Sequence, residues 1–427
     1  MNENIFTLQI GNKSNWVGSH IWPLLDKNSF DNEIFSEFYR ETSSEKLNPF
    51  LISIDLKANI VLPQYVDANT NQNDVDNFQV IDKSVETSQK SWTKCLDKEI
   101  LEQYFDKDYF ISYPDYIQTP EFNDKSSEET FDCGVFYYFE EKSDDPLLEQ
   151  LEDSFRKLSE ESSFISGFNI LFDGCDGFSG IFKWLANYLN QEYPKKCASS
   201  FPIFPELNFD HINEYSVWNM AQSLIVLESQ DEFLSNSGYF PLSCNHGTLK
   251  NFCTQVLPLS KIIANQFIPV ASCKHEMRKI INDLLMFSNN QKMFTQNLYN
   301  PKEDSFKSFN IFEKSPQSNP CLLIQRNSLP PNSKFNCPKE FQHKDPESFL
   351  PCYSSHCDLD REMSMMTTTL VNPTGQSDLV KGIYEKLFHA SSTLSTFNKR
   401  LRLPKDDMET FREEFLSRIL CAYGEKD

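Results

Sequence analysis

The chain opens on Ile5-Phe-Thr-Leu-Gln-Ile10, where apolar and polar residues alternate at period two, as in a half-buried strand. From Asn15 to Leu25 the period changes. Val17, Ile21 and Leu24 recur at helical spacing, so strand, turn and helix follow one another. The same order returns downstream, where Phe168-Asn-Ile-Leu-Phe172 reads as a strand and Ile181, Leu185 and Leu189 line one face of a helix that ends before Pro194. Phe50-Leu-Ile-Ser-Ile54 predicts a third strand, running into Asp55-Leu-Lys57, and Leu148, Leu151, Phe155 and Leu158 mark an amphipathic helix. Strands that alternate with helices predict an α/β fold with a mainly parallel sheet, flanking helices and a ligand crevice at the strand carboxyl ends.

Elsewhere the pattern thins. Residues 64–90 are rich in Asn, Asp, Gln and Ser, and acidic runs punctuate 117–146, so both stretches are expected as surface insertions. From about 297 to 360 Pro, Asn, Ser and Lys dominate, as in Ser328-Leu-Pro-Pro-Asn332, which predicts a loop-rich stretch between the elements of a second domain. Helical stripes then return at Leu379, Ile383, Leu387, Ala390 and Leu394, and at Met408, Phe411, Phe415 and Ile419.

Glycine sharpens this picture. Of only 12 glycines in 427 residues, Gly11, Gly18, Gly167, Gly174, Gly177 and Gly180 crowd into the two strand-to-helix junctions. A glycine-rich turn at a helix N-terminus is an anion cradle, because free backbone N–H groups and the helix dipole converge there. The second turn, however, reads Asp173-Gly-Cys-Asp-Gly-Phe-Ser-Gly180, with two carboxylates and a bulky ring where a phosphate favours small neutral residues. Asp173 or Asp176 can itself satisfy such N–H groups as a cap, so a purely structural loop outweighs a nucleotide site.

Other chemistry is sparse. Cys337, His343, Cys352, His356 and Cys357 include zinc-ligand types, but their spacing fits no pair of CxxC knuckles, and no metal is expected there. No GxSxG elbow, HExxH pair or Walker A lysine loop occurs, and His20 and His275 fall among apolar helical positions, so no catalytic residue is assigned.

Composition narrows the partners. A formal net charge of −22 repels phosphate backbones, which argues against nucleic acid. With 14% aromatic residues, 37 of them Phe, the chain can still fill a sizeable core at a mean hydropathy of −0.50. The densest apolar runs, Cys321–Ile324 and Ser223–Leu227, are far short of the ~20 residues a membrane span needs. The N-terminus resembles neither a secretory signal nor an Arg-rich presequence, so a cytosolic protein is expected, its 12 cysteines reduced.

The glycine junctions carry a resemblance. Leu8-Gln-Ile-Gly-Asn-Lys-Ser-Asn-Trp-Val-Gly-Ser-His-Ile-Trp22 resembles the tubulin pattern QxGxxxNxxGxxxW, with Gln9, Gly11, Asn15, Gly18 and Trp22 on the matching positions. Gly167-Phe168, the loop Gly174 to Gly180 and Gln191-Glu-Tyr-Pro194 resemble the tubulin run from GF through GGGTGSG to EEYP. The variant DGFSG, Asp55-Leu-Lys57 in place of DLE, and Trp92 are similar to the Misato family of tubulin-like proteins.

This resemblance covers about residues 4–60 and 90–245. It implies a tubulin/FtsZ-like fold: a nucleotide-binding-type domain over 1–245, a second, smaller α+β domain over 246–370 and C-terminal helices over 371–427. It also implies a cytoplasmic protein associated peripherally with the mitochondrial outer membrane, acting through protein partners in mitochondrial distribution, morphology, fusion and inheritance. By the same resemblance, Gly11, Asn12, Ser14, Asn15, Asp55, Gly174, Gly177, Ser179 and Gly180 would line a nucleotide site. Departures from tubulin touch this site directly. Ser14 replaces an inner glycine, Lys57 an acidic residue near the magnesium-bearing phosphates, and Cys175, Asp176 and Phe178 interrupt the phosphate loop. No hydrolysis-completing N-x-D-x-x-E-like run occurs in 245–300. The expectation is a non-catalytic protein without bound cofactor, the alternatives being a GTP-binding or slowly GTP-hydrolysing switch and a cytoskeletal polymer subunit.

A capping Asp176 predicts that Asp176→Ala costs about 1 kcal/mol of stability. An Asp176 that only repels phosphate predicts unchanged stability and improved GTP affinity, and melting curves with and without GTP separate the two.

Overall fold

A computed structural model describes residues 4–28, 37–41, 47–56, 59–60, 92, 104–113, 146–205, 214–229, 231–244, 256, 259–260, 263–264, 277–278, 281–282, 292–293, 295–300, 305–308, 321–328, 365–371, 380–389 and 405–420. The expected insertions at 64–90 and 117–146 fall outside the described residues, apart from Pro146, which begins a helix. Outside them too lie Lys57, His275 and the scattered Cys and His residues of 337–357.

The core is a seven-stranded sheet whose strand pairings are parallel among the described residues. Its strands are β1 (Asn4–Ile10), β4 (Leu51–Leu56), β5 (Phe110–Tyr113), β6 (Ile165–Asp173), β7 (Ala198–Pro205), β8 (Gly238–Tyr239) and β9 (Leu242–Cys244). The order is β5-β4-β1-β6-β7-β8, with β9 also on β7. Between β1 and β4 a small hairpin pairs β2 (Tyr39–Glu41) with β3 (Leu47–Pro49). The helices are α1 (Asn12–Ser19), α2 (Ile21–Asn28), α3 (Pro146–Glu161), α4 (Phe178–Glu192), α5 (Glu214–Leu227), α6 (Glu232–Ser235) and α7 (Lys405–Glu414).

β1 corrects the expectation of a half-buried strand: every one of its residues is buried, because strands flank it on both edges and elements cover both faces. Its period-two alternation divides two buried faces of different polarity. Register puts Phe6, Leu8 and Ile10 beside Ile52, Ile54, Phe168, Ile170 and Phe172 on one face. That face meets Leu151, Phe155 and Leu158 of α3 and Ile181, Leu185 and Leu189 of α4, helical positions expected from the sequence, and Phe182 beside them. Phe172 stacks on Phe182 at 3.9 Å between ring centroids. The opposite face carries Thr7, Gln9, Ser53, Asp55, Asn169 and Asp173, all buried, beneath α1.

The helix expected over Asn15–Leu25 is two helices that meet at His20, the first starting earlier, at Asn12. His20 itself is only partly exposed, and burial lowers its pKa. Trp16, Val17, Ile21 and Trp22 are buried, as the aromatic and apolar positions of this stretch implied.

Within the stretch expected to be loop-rich, β10 (Thr295–Asn300), β11 (Ser305–Ser308) and β12 (Cys321–Ser328) join β13 (Met365–Val371) in a four-stranded antiparallel sheet of order β11-β10-β13-β12. Backbone pairing thus organises part of a segment whose composition signalled turns. The C-terminal helical stripes pack onto the first core: Ile383, Leu387, Phe415 and Ile419 are buried in it with Val380 beside them, and Phe411 lies 3.9 Å from the Trp218 ring of α5, centroid to centroid. Lys292 closes the end of α5, its Nζ donating to the carbonyls of Leu227 and Ser229 at 2.8 and 2.9 Å. Among the described residues no helix is long and apolar enough to cross a membrane, and Cys175, Cys197 and Cys244 are buried.

At the amino ends of the strands the buried Arg40 guanidinium bridges Asp106 and Glu161 and lies 4.4 Å above the Tyr109 ring. Tyr109 in turn donates to Glu161 at 3.1 Å. One side chain thereby joins β2, the turn before β5 and the end of α3. Arg40→Met is expected to lower stability by about 1–2 kcal/mol, moderated by the partial exposure of both carboxylates. Denaturant melts check this, and an unchanged midpoint refutes the clamp.

Candidate functional site

The two glycine junctions lie side by side, because β1 and β6 are neighbours and end at the same edge of the sheet. At the first, Gly11 takes φ 101° and ψ 165°, a conformation open to glycine, and α1 begins at the next residue. At the second, β6 ends at Asp173, whose side chain reaches across to the start of α1. One carboxylate oxygen accepts the Lys13 N–H at 3.0 Å, and the other accepts the Ser14 N–H at 2.8 Å and the Ser14 hydroxyl at 2.6 Å. A Cβ at Gly11 would stand 2.6 Å from the Asp173 carboxyl carbon, so this glycine also makes room for the carboxylate.

The anion at the N-terminus of α1 is therefore part of the chain. Both candidate caps have a role: Asp173 caps α1 from a distance, and Asp176 accepts the Phe178 N–H at 3.0 Å, at the start of α4. Lys13 Nζ lies 3.8 Å from Asp176, adding an internal cation to the same corner. Burial pushes the Asp173 pKa up, while Lys13 and the donors from Ser14 and Lys13 oppose that shift. Ser14, which departs from the tubulin pattern, is thus the hydroxyl partner of Asp173.

The second loop is packed as a core element. Every residue from Gly11 to Ser19 and from Asp173 to Phe182 is buried. A Cβ at Gly174 would come within 2.4 Å of the Phe204 ring, and the Gly174 N–H donates to Ile203 O at 3.0 Å. Phe178 is fully buried, and burial raises the Cys175 thiol pKa well above its ordinary value. Ser179 turns its hydroxyl onto the Asp176 carbonyl at 2.9 Å, and Gly177 and Gly180 form the first turn of α4. A phosphate approaching α1 would compete with Asp173 for the same N–H groups, and the residues present do not fit one.

The structure brings together Gly11, Asn12, Ser14, Asn15, Asp55, Gly174, Gly177, Ser179 and Gly180 along the ends of β4, β1 and β6. Asp55, fully buried, is a hub of its own. One oxygen accepts the Leu56 N–H at 2.8 Å and the Asn59 amide at 2.8 Å. The other accepts the Asn15 amide at 3.2 Å and the Trp92 indole N–H at 3.0 Å. Asn15 also donates to Ile54 O at 2.9 Å. Lys13, Asn59 and Trp92 thus belong to this corner although sequence reasoning gave them no role. Only Trp92 carried a signal, as part of the family resemblance.

Among the described residues no cluster of His, Cys, Asp and Glu is arranged to hold a metal ion. A cavity of about 260 Å³ lies elsewhere, between α4, α5 and the C-terminal residues, lined in part by Lys183, Gln222, Ile225, Asp231, Phe411 and Arg418. No protein-family model matches this sequence, and a search of curated proteins finds no match.

Burial raises the Asp55 pKa from 3.8 to about 7, with the nearby Asp173 charge adding to the effect, although its hydrogen-bond donors favour the ionised form. Between those two values the folded state keeps a proton that the unfolded chain has released. The contribution of Asp55 to stability is therefore present in full at the acid end and lost as pH rises toward 7, by up to about 1.4 kcal/mol per pH unit. Stability curves of the native protein and Asp55→Asn, measured from pH 4 to 8, are expected to differ by that slope below about 7 and to run parallel above it. Parallel curves throughout would contradict the assignment.

Proposed function

We propose that this chain is a tubulin-related, non-catalytic protein of the Misato type, which acts through protein partners in mitochondrial distribution, morphology, fusion and inheritance. In this reading it is cytoplasmic and meets the mitochondrial outer membrane peripherally. Support for the lineage comes from the motif residues Gln9, Gly11, Asn15, Gly18 and Trp22, and from a parallel sheet with flanking helices into which both glycine junctions fit. The observation that carries the non-catalytic reading is the Asp173 carboxylate on the N–H groups of Lys13 and Ser14. A domain that supplies its own anion at this position has no need of a nucleotide to complete the corner. Its surfaces are then left to work by binding other proteins.

Chromatography of the denatured, purified protein is expected to release guanine nucleotide far below one equivalent, and calorimetric titration with GTP and magnesium to give no binding heat. Near-stoichiometric GDP or GTP would overturn the nucleotide-free reading in favour of a switch. For the cellular role, depletion of the protein is expected to alter the mitochondrial network, with recovery on re-expression. A network unchanged by depletion would sink the mitochondrial assignment independently of the nucleotide result.

A further inference from the structure

The polar face of the sheet contains a group of buried atoms that the described residues leave unsatisfied. Thr7, Gln9 and Ser53 are 1%, 0% and 2% exposed, yet Thr7 Oγ1, Ser53 Oγ and both polar atoms of the Gln9 amide have no hydrogen-bond partner among the described residues. They are neighbours by construction. Gln9 and Ser53 are paired across β1 and β4, and Thr7 precedes Gln9 by two residues on the same face. The roof is also defined. A Cβ at Gly18 would lie 2.2 Å from Gln9 Cδ and 2.3 Å from Nε2, so the amide is pressed against the backbone of α1.

A buried polar group without a partner costs about 1–3 kcal/mol, and apolar residues of similar shape exist for all three positions. Four unpaired atoms on one patch therefore point to a ligand. Its chemistry follows from theirs: the Gln9 amide offers one donor group and one acceptor, each hydroxyl can act as either, and none of the three side chains is charged. The nearest carboxylate in sequence, Asp55, already accepts four hydrogen bonds. What fits is a small neutral molecule that both donates and accepts, and buried water of this kind makes 2–4 such bonds in folded proteins.

We propose that Thr7, Gln9 and Ser53 form a closed hydration site beneath α1, holding one or two long-lived water molecules that join β1 to β4. The water links side chains on adjacent strands and replaces the direct hydrogen bonds that these short side chains do not make. The site is separate from the corner at Asp173 and stands whether or not the proposed function holds.

Oxygen-17 relaxation dispersion of the full chain counts waters that stay bound long enough to be resolved. Thr7→Val and Ser53→Ala together are expected to remove one or two such waters. Each single change is expected to lower the folding equilibrium constant about two- to tenfold, and the pair by less than the product, since the second change acts on water that has already lost part of its hold. An unchanged water count overturns the proposal, whatever happens to stability. Neutral or stabilising single variants overturn it as well, because they would mean that the hydroxyls are simply unpaired. If the double variant does not fold, magnetisation transfer from bound water to the Gln9 side-chain amide in the native protein decides, and its absence counts against the site.

Discussion

The carboxylate of Asp173 at the N-terminus of α1 is the contact on which this corner of the molecule depends. A helix start leaves backbone N–H groups without partners, and its dipole favours negative charge. Here the charge arrives from the end of the neighbouring strand β6, separated by about 160 positions in sequence from the N–H groups it meets. The contact ties β1, α1 and β6 together, and it allows Gly11 to adopt its unusual backbone angles with the side chain of another residue in the space a Cβ would fill. A corner that could receive an external anion is instead closed by an internal one.

Around that contact the sheet divides its chemistry. One face is apolar and packs against α3 and α4 through Phe, Ile and Leu. The other is polar, and each of its carboxylates has acquired specific donors: backbone and hydroxyl groups for Asp173, amides and an indole for Asp55. Burying carboxylates in this way is costly unless their lone pairs are engaged, and the donors gathered around Asp173 and Asp55 engage them. The glycine loop 174–180 is held by Phe204, Asp176 and the first turn of α4.

Much of the architecture was legible from periodicity. The α4 stripe Ile181, Leu185 and Leu189, the α3 positions Leu151, Phe155 and Leu158, and the strands around Phe50 and Phe168 recur where spacing placed them, because burial on one face imposes a period. Burial of β1 on both faces was not, since a residue such as Gln9 reads as solvent-facing until its neighbours are known. Nor was the break at His20, where apolar spacing runs on across two helices.

By itself the sequence determined the alternation of strands and helices, the two glycine junctions, and the presence of carboxylates where a phosphate loop would exclude them. These are local properties, set by side-chain periodicity and by the conformational freedom of glycine. Tertiary structure alone decided which carboxylate meets which donor. Asp173 meets the backbone N–H groups of α1 while Asp176 meets its Lys13 side chain, and Asp55 gathers Asn15, Asn59 and Trp92. The physical reason is that hydrogen bonds between distant residues depend on strand order and register, which bring the ends of β4, β1 and β6 together and have no counterpart in sequence spacing.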